Sequence, residues 1–131
     1  RKKMKYIQEQ PFLDRRGHQV LMPSSTTDGE RTTFEPTLKW VLYFIVDAYT
    51  PSQDMKLSNS EIRKQWKILD ILEEEKELDE YFAFEDDDFN LLKKLVNYIA
   101  PMMLFKGVVQ NSPILEDILG AALNKIPEEE K

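Results

Sequence analysis

Residues 36–49 read "PTLKWVLYFIVDAY", and whether this run is a helix or a buried strand decides the fold. Leu38, Val41, Leu42, Ile45, Val46 and Tyr49 recur at i, i+3, i+4, i+7, i+8 and i+11, the spacing of one face of a helix. The strand reading rests on the aromatic and β-branched residues of "WVLYFIV", but the period and the length of the run favour a helix over 36–49, with Pro36 in its first turn. Trp40, Tyr43 and Phe44 add apolar surface on the other sides. This helix is therefore either central to the core or part-covered by a partner.

Downstream, "LSNSEI" gives a complete helix start: Ser58 as N-cap, Glu61 as its reciprocal partner, and Leu57 stapled onto Ile62. The second helix is expected over 59–77, with Ile62, Trp66, Leu69 and Leu72 along its inward seam. A third opens at "EDDDF" with Asp86 as N-cap, carries Phe89, Leu92, Leu95, Val96 and Ile99 inward, and extends past a stop or kink at Pro101 to about 106, with Gly107 as its C-cap. The fourth, over 113–126, has Ser112 as N-cap, Pro113 at N1, and Leu115, Ile118, Leu119, Ala122, Leu123 and Ile126 at helical spacing.

Upstream, "MKYIQEQPFLDRRGHQVLM" holds two short β-leaning runs around "DRRG", where Asp14 suits a turn start and Gly17 a positive φ. The expectation is a mainly α fold: a four-helix compact domain with an N-terminal β-hairpin over 1–22. Residues 23–35 read as a loop, 36–126 as the helical core and 127–131 as a solvated tail, all in one domain. A two-stranded hairpin is marginal in water, so it must pack on the helices or pair with another chain.

The 131 residues and their 41% apolar content suit one modest core. No apolar run is long enough for a membrane span, and "RKKMKYIQEQ" does not lead into a signal-peptide core, so a soluble, non-secreted protein is expected. The absence of cysteine removes disulfides, thiol nucleophiles and thiolate metal sites, and the lone His18 allows no His–His metal pair. The net charge of −6 divides unevenly: residues 1–60 carry nine bases and seven acids (+2), and 61–131 carry nine bases and seventeen acids (−8). That argues against nucleic acid lying on the C-terminal half, where phosphate contacts need Lys and Arg. The bases Arg1, Lys2, Lys3, Lys5, Arg15 and Arg16 fall on the expected hairpin, where a solubilising role outweighs nucleic-acid binding.

The acidity concentrates in 70–88, with eleven acids against the single base Lys76. Carboxylates at 85–88 suit a helix N-terminus, but those at 73–80 fall at a helix C-terminus, where the dipole disfavours them. Three readings stand: a solvated face that keeps the protein soluble, a docking surface for a basic protein partner, and a cation site, which lacks the D-x-D-x-D-G pattern of an EF-hand. The docking reading assigns the contact to Glu73, Glu74, Glu77, Asp79 and Glu80 with Tyr81 or Phe82 beside them as an aromatic anchor. In the competing reading "YFAF" plugs the core.

There is no G-x-S-x-G, Walker A, G-x-G-x-x-G or H-E-x-x-H motif. A metal-dependent hydrolase built on carboxylates alone, pairing Asp79 and Glu80 with Asp86 and Asp88, is the remote enzymatic reading. No cofactor is expected. The sequence favours a non-enzymatic interaction module that binds a basic surface of a protein partner; the alternative is an assembly component that self-associates as a homo-oligomer.

Four segments, "KYIQEQPFLDRRGHQV", "TLKWVLYFIVDAYT", "LSNSEIRKQWKILDIL" and "EDDDFNLLKKLVNYIAPMML", together resemble a pattern in small proteins of tailed bacteriophages and prophages. There a short β start with an Asp-x-x-Gly turn precedes helices opening on "TL" and "LS-x-x-E". The resemblance implies a phage-encoded accessory or virion-associated protein, in the host cytoplasm or the virion, without naming an activity; beside it, the interaction module is expected to be an adaptor or inhibitor of a host protein, and the self-associating alternative a component of the particle. It carries no functional residue to this chain.

Overall fold

The computed structural model describes residues 3–24, 32–52, 54–103 and 105–127. The stretch that decides the fold is a helix, α1 (Leu38–Asp47), with Leu38, Val41, Leu42, Ile45 and Val46 buried along the expected face. Against it pack α2 (Asn59–Glu73) and α3 (Asp86–Ile99); the single-turn α4 (Lys106–Val109) follows, and α5 (Ser112–Gly120) packs on α3. The fold is mainly α. Among the described residues no helix is long and apolar enough to cross a membrane.

The turn at "DRRG" forms as its residues dictate. Gly17 has φ +82° and donates to the Asp14 carbonyl at 2.9 Å, while Asp14 Oδ1 accepts from the backbone N–H groups of Arg16 and His18. Leu13 bridges to Gln19, and Val20 N–H donates to Phe12 O. The strand before it has a different main partner. β1 (Met4–Gln8) pairs antiparallel with β4 (Tyr81–Glu85), Ile7 opposite Phe82 and Lys5 opposite Phe84. Alternation puts Ile7, Phe82 and Phe84 into the core, and burying three such side chains outweighs any pairing the local turn offers.

The segment read as a loop over 23–35 contains paired strands, β2 (Met22–Ser24) and β3 (Thr32–Phe34). Met22 is buried at the start of this ladder, which is what an apolar residue beside a polar run can do once the partner strand is found. Residues 25–31 of that expected loop, and 128–131 of the expected tail, lie outside the described residues.

Several helix ends also shift. The capping box of α2 is present, Ser58 Oγ accepting from Glu61 N–H and Glu61 Oε1 from Ser58 N–H, but the helix stops at Glu73 rather than 77. The cap of α3 is Glu85, not Asp86, and the helix yields to a 3-10 turn, Ala100–Met102, at Pro101. Gly107 is no C-cap. It lies within α4 against the 20–22 segment, where a Cβ would meet Val20 Cγ1 at 2.8 Å, so glycine is needed for close approach. Asn111, not Ser112, caps α5, its buried amide donating to Gly107 O. That helix ends at Gly120, and Leu123 instead bridges to Tyr6 with two backbone hydrogen bonds of 2.9 Å.

Candidate functional site

The acidic stretch begins on the last turn of α2, runs through the connection at 74–80 and enters β4. Its local order comes from three contacts. Lys39 of α1 reaches the Glu74 carbonyl, supplying a cation where the helix itself has no basic residue in its last turn. Tyr43 of α1 donates its hydroxyl to Glu73 Oε1 at 2.8 Å, and the same carboxylate holds the phenol's pKa above its ordinary value. Glu80 Oε1 accepts from Glu77 N–H at 2.7 Å and closes the turn, in which Asp79 takes φ +76°, a conformation Asp tolerates better than most residues.

Glu73, Glu74, Glu77, Asp79 and Glu80 are all solvent-exposed. Glu74, Glu77 and Asp79 make no side-chain hydrogen bond or ion pair among the described residues. Leu78, in the middle of this turn, is 52% exposed. Tyr81 is half-buried and lines an open pocket of about 310 Å³ with Tyr6, Gln8, Ile118 and Leu123. Phe82 does not belong with them. It is completely buried, because alternation along β4 turns it inward opposite Ile7, and it cannot serve as an aromatic anchor. The core-plug reading holds for Phe82 and Phe84.

The carboxylates at the other end of β4 form a separate group. Asp88 is buried on the first turn of α3, and Lys67 of α2 reaches it at 2.9 Å while donating to Glu85 at the same distance. For the Asp88 oxygen this contact is an ion pair rather than a hydrogen bond. Glu85 first, then Asp88, raises the pKa of the Lys67 ammonium above its ordinary value. The five residues of β4, roughly 16 Å of extended chain, stand between Asp79 and Glu80 at one end and Asp86 and Asp88 at the other. Among the described residues no three His, Cys, Asp or Glu side chains form a group able to hold a metal ion.

The bases expected on one hairpin are likewise divided. Lys3 and Lys5 run alongside β4, with Lys5 Nζ on Asn124 Oδ1 at 2.6 Å, whereas Arg15 and Arg16 sit on the exposed Asp14–Gly17 turn. Arg1 and Lys2 lie outside the described residues.

Two features escaped the reading of the sequence. Trp66, assigned to the inward seam of α2, is 60% exposed, about 160° around the helix from buried Ile68. On the far side of α1, Phe34, Trp40, Phe44 and Phe105 form a row of half-buried rings with successive centroid separations of 4.6, 5.1 and 5.0 Å. The aromatic content of residues 36–49 signalled surplus rings on α1, but nothing in the sequence announces Phe34 and Phe105 as their neighbours. No family model, curated protein or solved structure matches the chain.

Proposed function

We propose that the protein is a non-enzymatic interaction module whose exposed acidic turn docks on a basic surface of a protein partner. The observation that carries this reading is that the exposed side chains of Glu74, Glu77 and Asp79 have no partner among the described residues while Lys39, Tyr43 and Glu80 already satisfy the local structure. Those three acids therefore add like-charge repulsion that the fold does not need, which a cationic partner would relieve. Leu78 supplies apolar surface within the acidic rim, the arrangement found where a small hydrophobic centre is sheltered by charged neighbours. The resemblance to small proteins of tailed phages suits an accessory role without naming an activity.

Immobilised wild-type chain and a Glu74→Lys/Glu77→Lys variant, compared for proteins retained from a bacterial lysate, test the reading. Retention of a basic protein by the wild type, lost in the variant and reversed by salt, is the expected result. Equal retention by a folded variant would leave the acids as a solvated face.

A further inference from the structure

We infer that the outward ridge of α2 is a homotypic interface, on which a second copy of this chain lies antiparallel with Trp66 stacked against its own equivalent. Asn59, Arg63, Trp66, Asp70 and Glu73 follow one another at spacings of four, three, four and three residues, so they share one side of the helix, and all are exposed. Ile62 and Leu69 flank this ridge half-buried, leaving apolar shoulders beside the indole.

Charge identifies the occupant. Arg63 lies three residues before Trp66 and Asp70 four after it, and neither makes an ion pair among the described residues. Their own helix offers them no opposite charge that is not already engaged. Arg63 has Asn59 and Lys67 at four-residue spacing, while Asp70 has Glu73 and Glu74 one turn on and Lys67 one turn back, whose ammonium is held by Glu85 and Asp88. A two-fold axis passing beside Trp66 reverses the helix and sets Arg63 of each copy opposite Asp70 of the other, so both unmatched charges are paired twice over.

The same operation brings Glu73 of one copy, whose carboxylate also accepts from Tyr43, alongside the N-terminal turn of α2 in the other, where the helix dipole favours a carboxylate that its own C-terminus disfavours. A uniformly basic partner would instead face Arg63, Lys64 and Lys67 along the first half of the helix. The ridge is self-complementary and fits a second copy better. It does not rest on the docking role of the acidic turn, since Trp66, Arg63 and Asp70 lie outside that turn.

A single helix of 15 residues, about 22 Å long, makes an interface at the small end of the stable range, so the dimer should be weak and concentration-dependent. Sedimentation equilibrium over about a hundredfold range of concentration tests this, with far-UV circular dichroism confirming that each variant is folded. The expected result is a wild-type mass rising toward twice the monomer, and monomers throughout for Trp66→Ala, Arg63→Glu and Asp70→Arg. An equimolar mixture of Arg63→Glu with Asp70→Arg, or both changes in one chain, should restore the dimer, because each arrangement re-creates opposite charges across the axis. A wild type that stays monomeric overturns the inference. So does a dimer that survives the single charge changes, or one that the exchanged pair fails to restore; should Trp66→Ala not fold, the charge exchange decides alone.

Discussion

Glu9, buried at the end of β1 with 2% exposure, accepts a hydrogen bond of 3.0 Å from the backbone N–H of Lys39 on the first turn of α1. Its other oxygen accepts from the Thr37 hydroxyl at 3.0 Å, so a carboxylate from a distant strand does the work a local N-cap side chain would do. Thr37 itself makes no capping bond to the helix. The central helix is thus tied to the sheet by a charge-assisted cap as well as by apolar packing.

Replacing Glu9 with alanine should strip the Lys39 and Gln10 N–H groups and the Thr37 hydroxyl of their acceptor together, at a cost of about 2–3 kcal/mol. Glu9→Gln keeps one carbonyl acceptor and should lose roughly 1 kcal/mol. Urea titrations measure both as shifts in midpoint at unchanged slope. Equal losses from the two substitutions would mean that the packing of the side chain, not its acceptors, matters.

Lys67 bridges Glu85 and buried Asp88, so truncating it leaves a carboxylate in the interior without its counter-charge. Lys67→Met should destabilise by about 2 kcal/mol, and the further change Asp88→Asn should recover much of that by removing the orphaned charge. The sign with pH follows from the raised ammonium pKa: the pair's contribution is fully present below the ordinary lysine pKa and fades as pH rises through the elevated folded value. Melting temperatures of the wild type and Lys67→Met should therefore converge at strongly alkaline pH.

What the sequence revealed and what it hid divide along contact range. The buried face of α1 and the Ser58 cap of α2 depend on neighbours within a turn or so, and both are present as read. The pairing of β1 with β4 depends on a strand over seventy residues away, as the Gln8 contact to Asp79 illustrates, and no local signal marks it. Trp66 was misplaced for a different reason. The inward row of α2 includes polar Gln65, whose amide donates to the Val46 carbonyl near the end of α1, so Gln65, Ile68 and Leu72 turn toward the core, Ile62 and Leu69 are half-buried at its edges, and Trp66 is left outside. In the candidate site, the exposure of the acids was legible from their density. The satisfying contacts from Lys39 and Tyr43 required the packing of α1 on α2 to be known.

The capping box predicts a pH response of opposite sign. The Ser58 N–H, the largest influence on Glu61, lowers its pKa below the ordinary carboxylate value, with Lys94 adding to it. Its stabilising charge is present above that ordinary value and is lost as pH falls through the depressed folded pKa. Glu61→Gln preserves the reciprocal hydrogen bond without the charge, so its deficit in melting temperature at neutral pH should shrink on acidification. Ser58→Ala removes the acceptor itself and should cost about 1 kcal/mol at neutral pH. A Glu61→Gln deficit that is constant with pH would show that charge adds nothing at this cap.

Lys39 gives the sharpest test of the acidic helix end, because it is the cation that reaches the Glu74 carbonyl where α2 terminates among Glu73, Glu74 and Glu75. Lys39→Met retains the apolar stem but removes the ammonium, exposing the helix C-terminus to three uncompensated carboxylates. The expected loss is about 1 kcal/mol or less, the scale of a charge acting on a solvent-exposed helix end. Much of that loss is repulsion between exposed charges, so raising salt until the Debye length falls from about 10 Å to about 3 Å should restore stability to Lys39→Met more than to the wild type. Adding Glu74→Lys to Lys39→Met should recover the same stability at low salt, since it returns a positive charge to that turn. If neither salt nor Glu74→Lys narrows the gap, Lys39 acts through its packing on α2, and the acids of that turn impose no electrostatic cost for a partner to relieve.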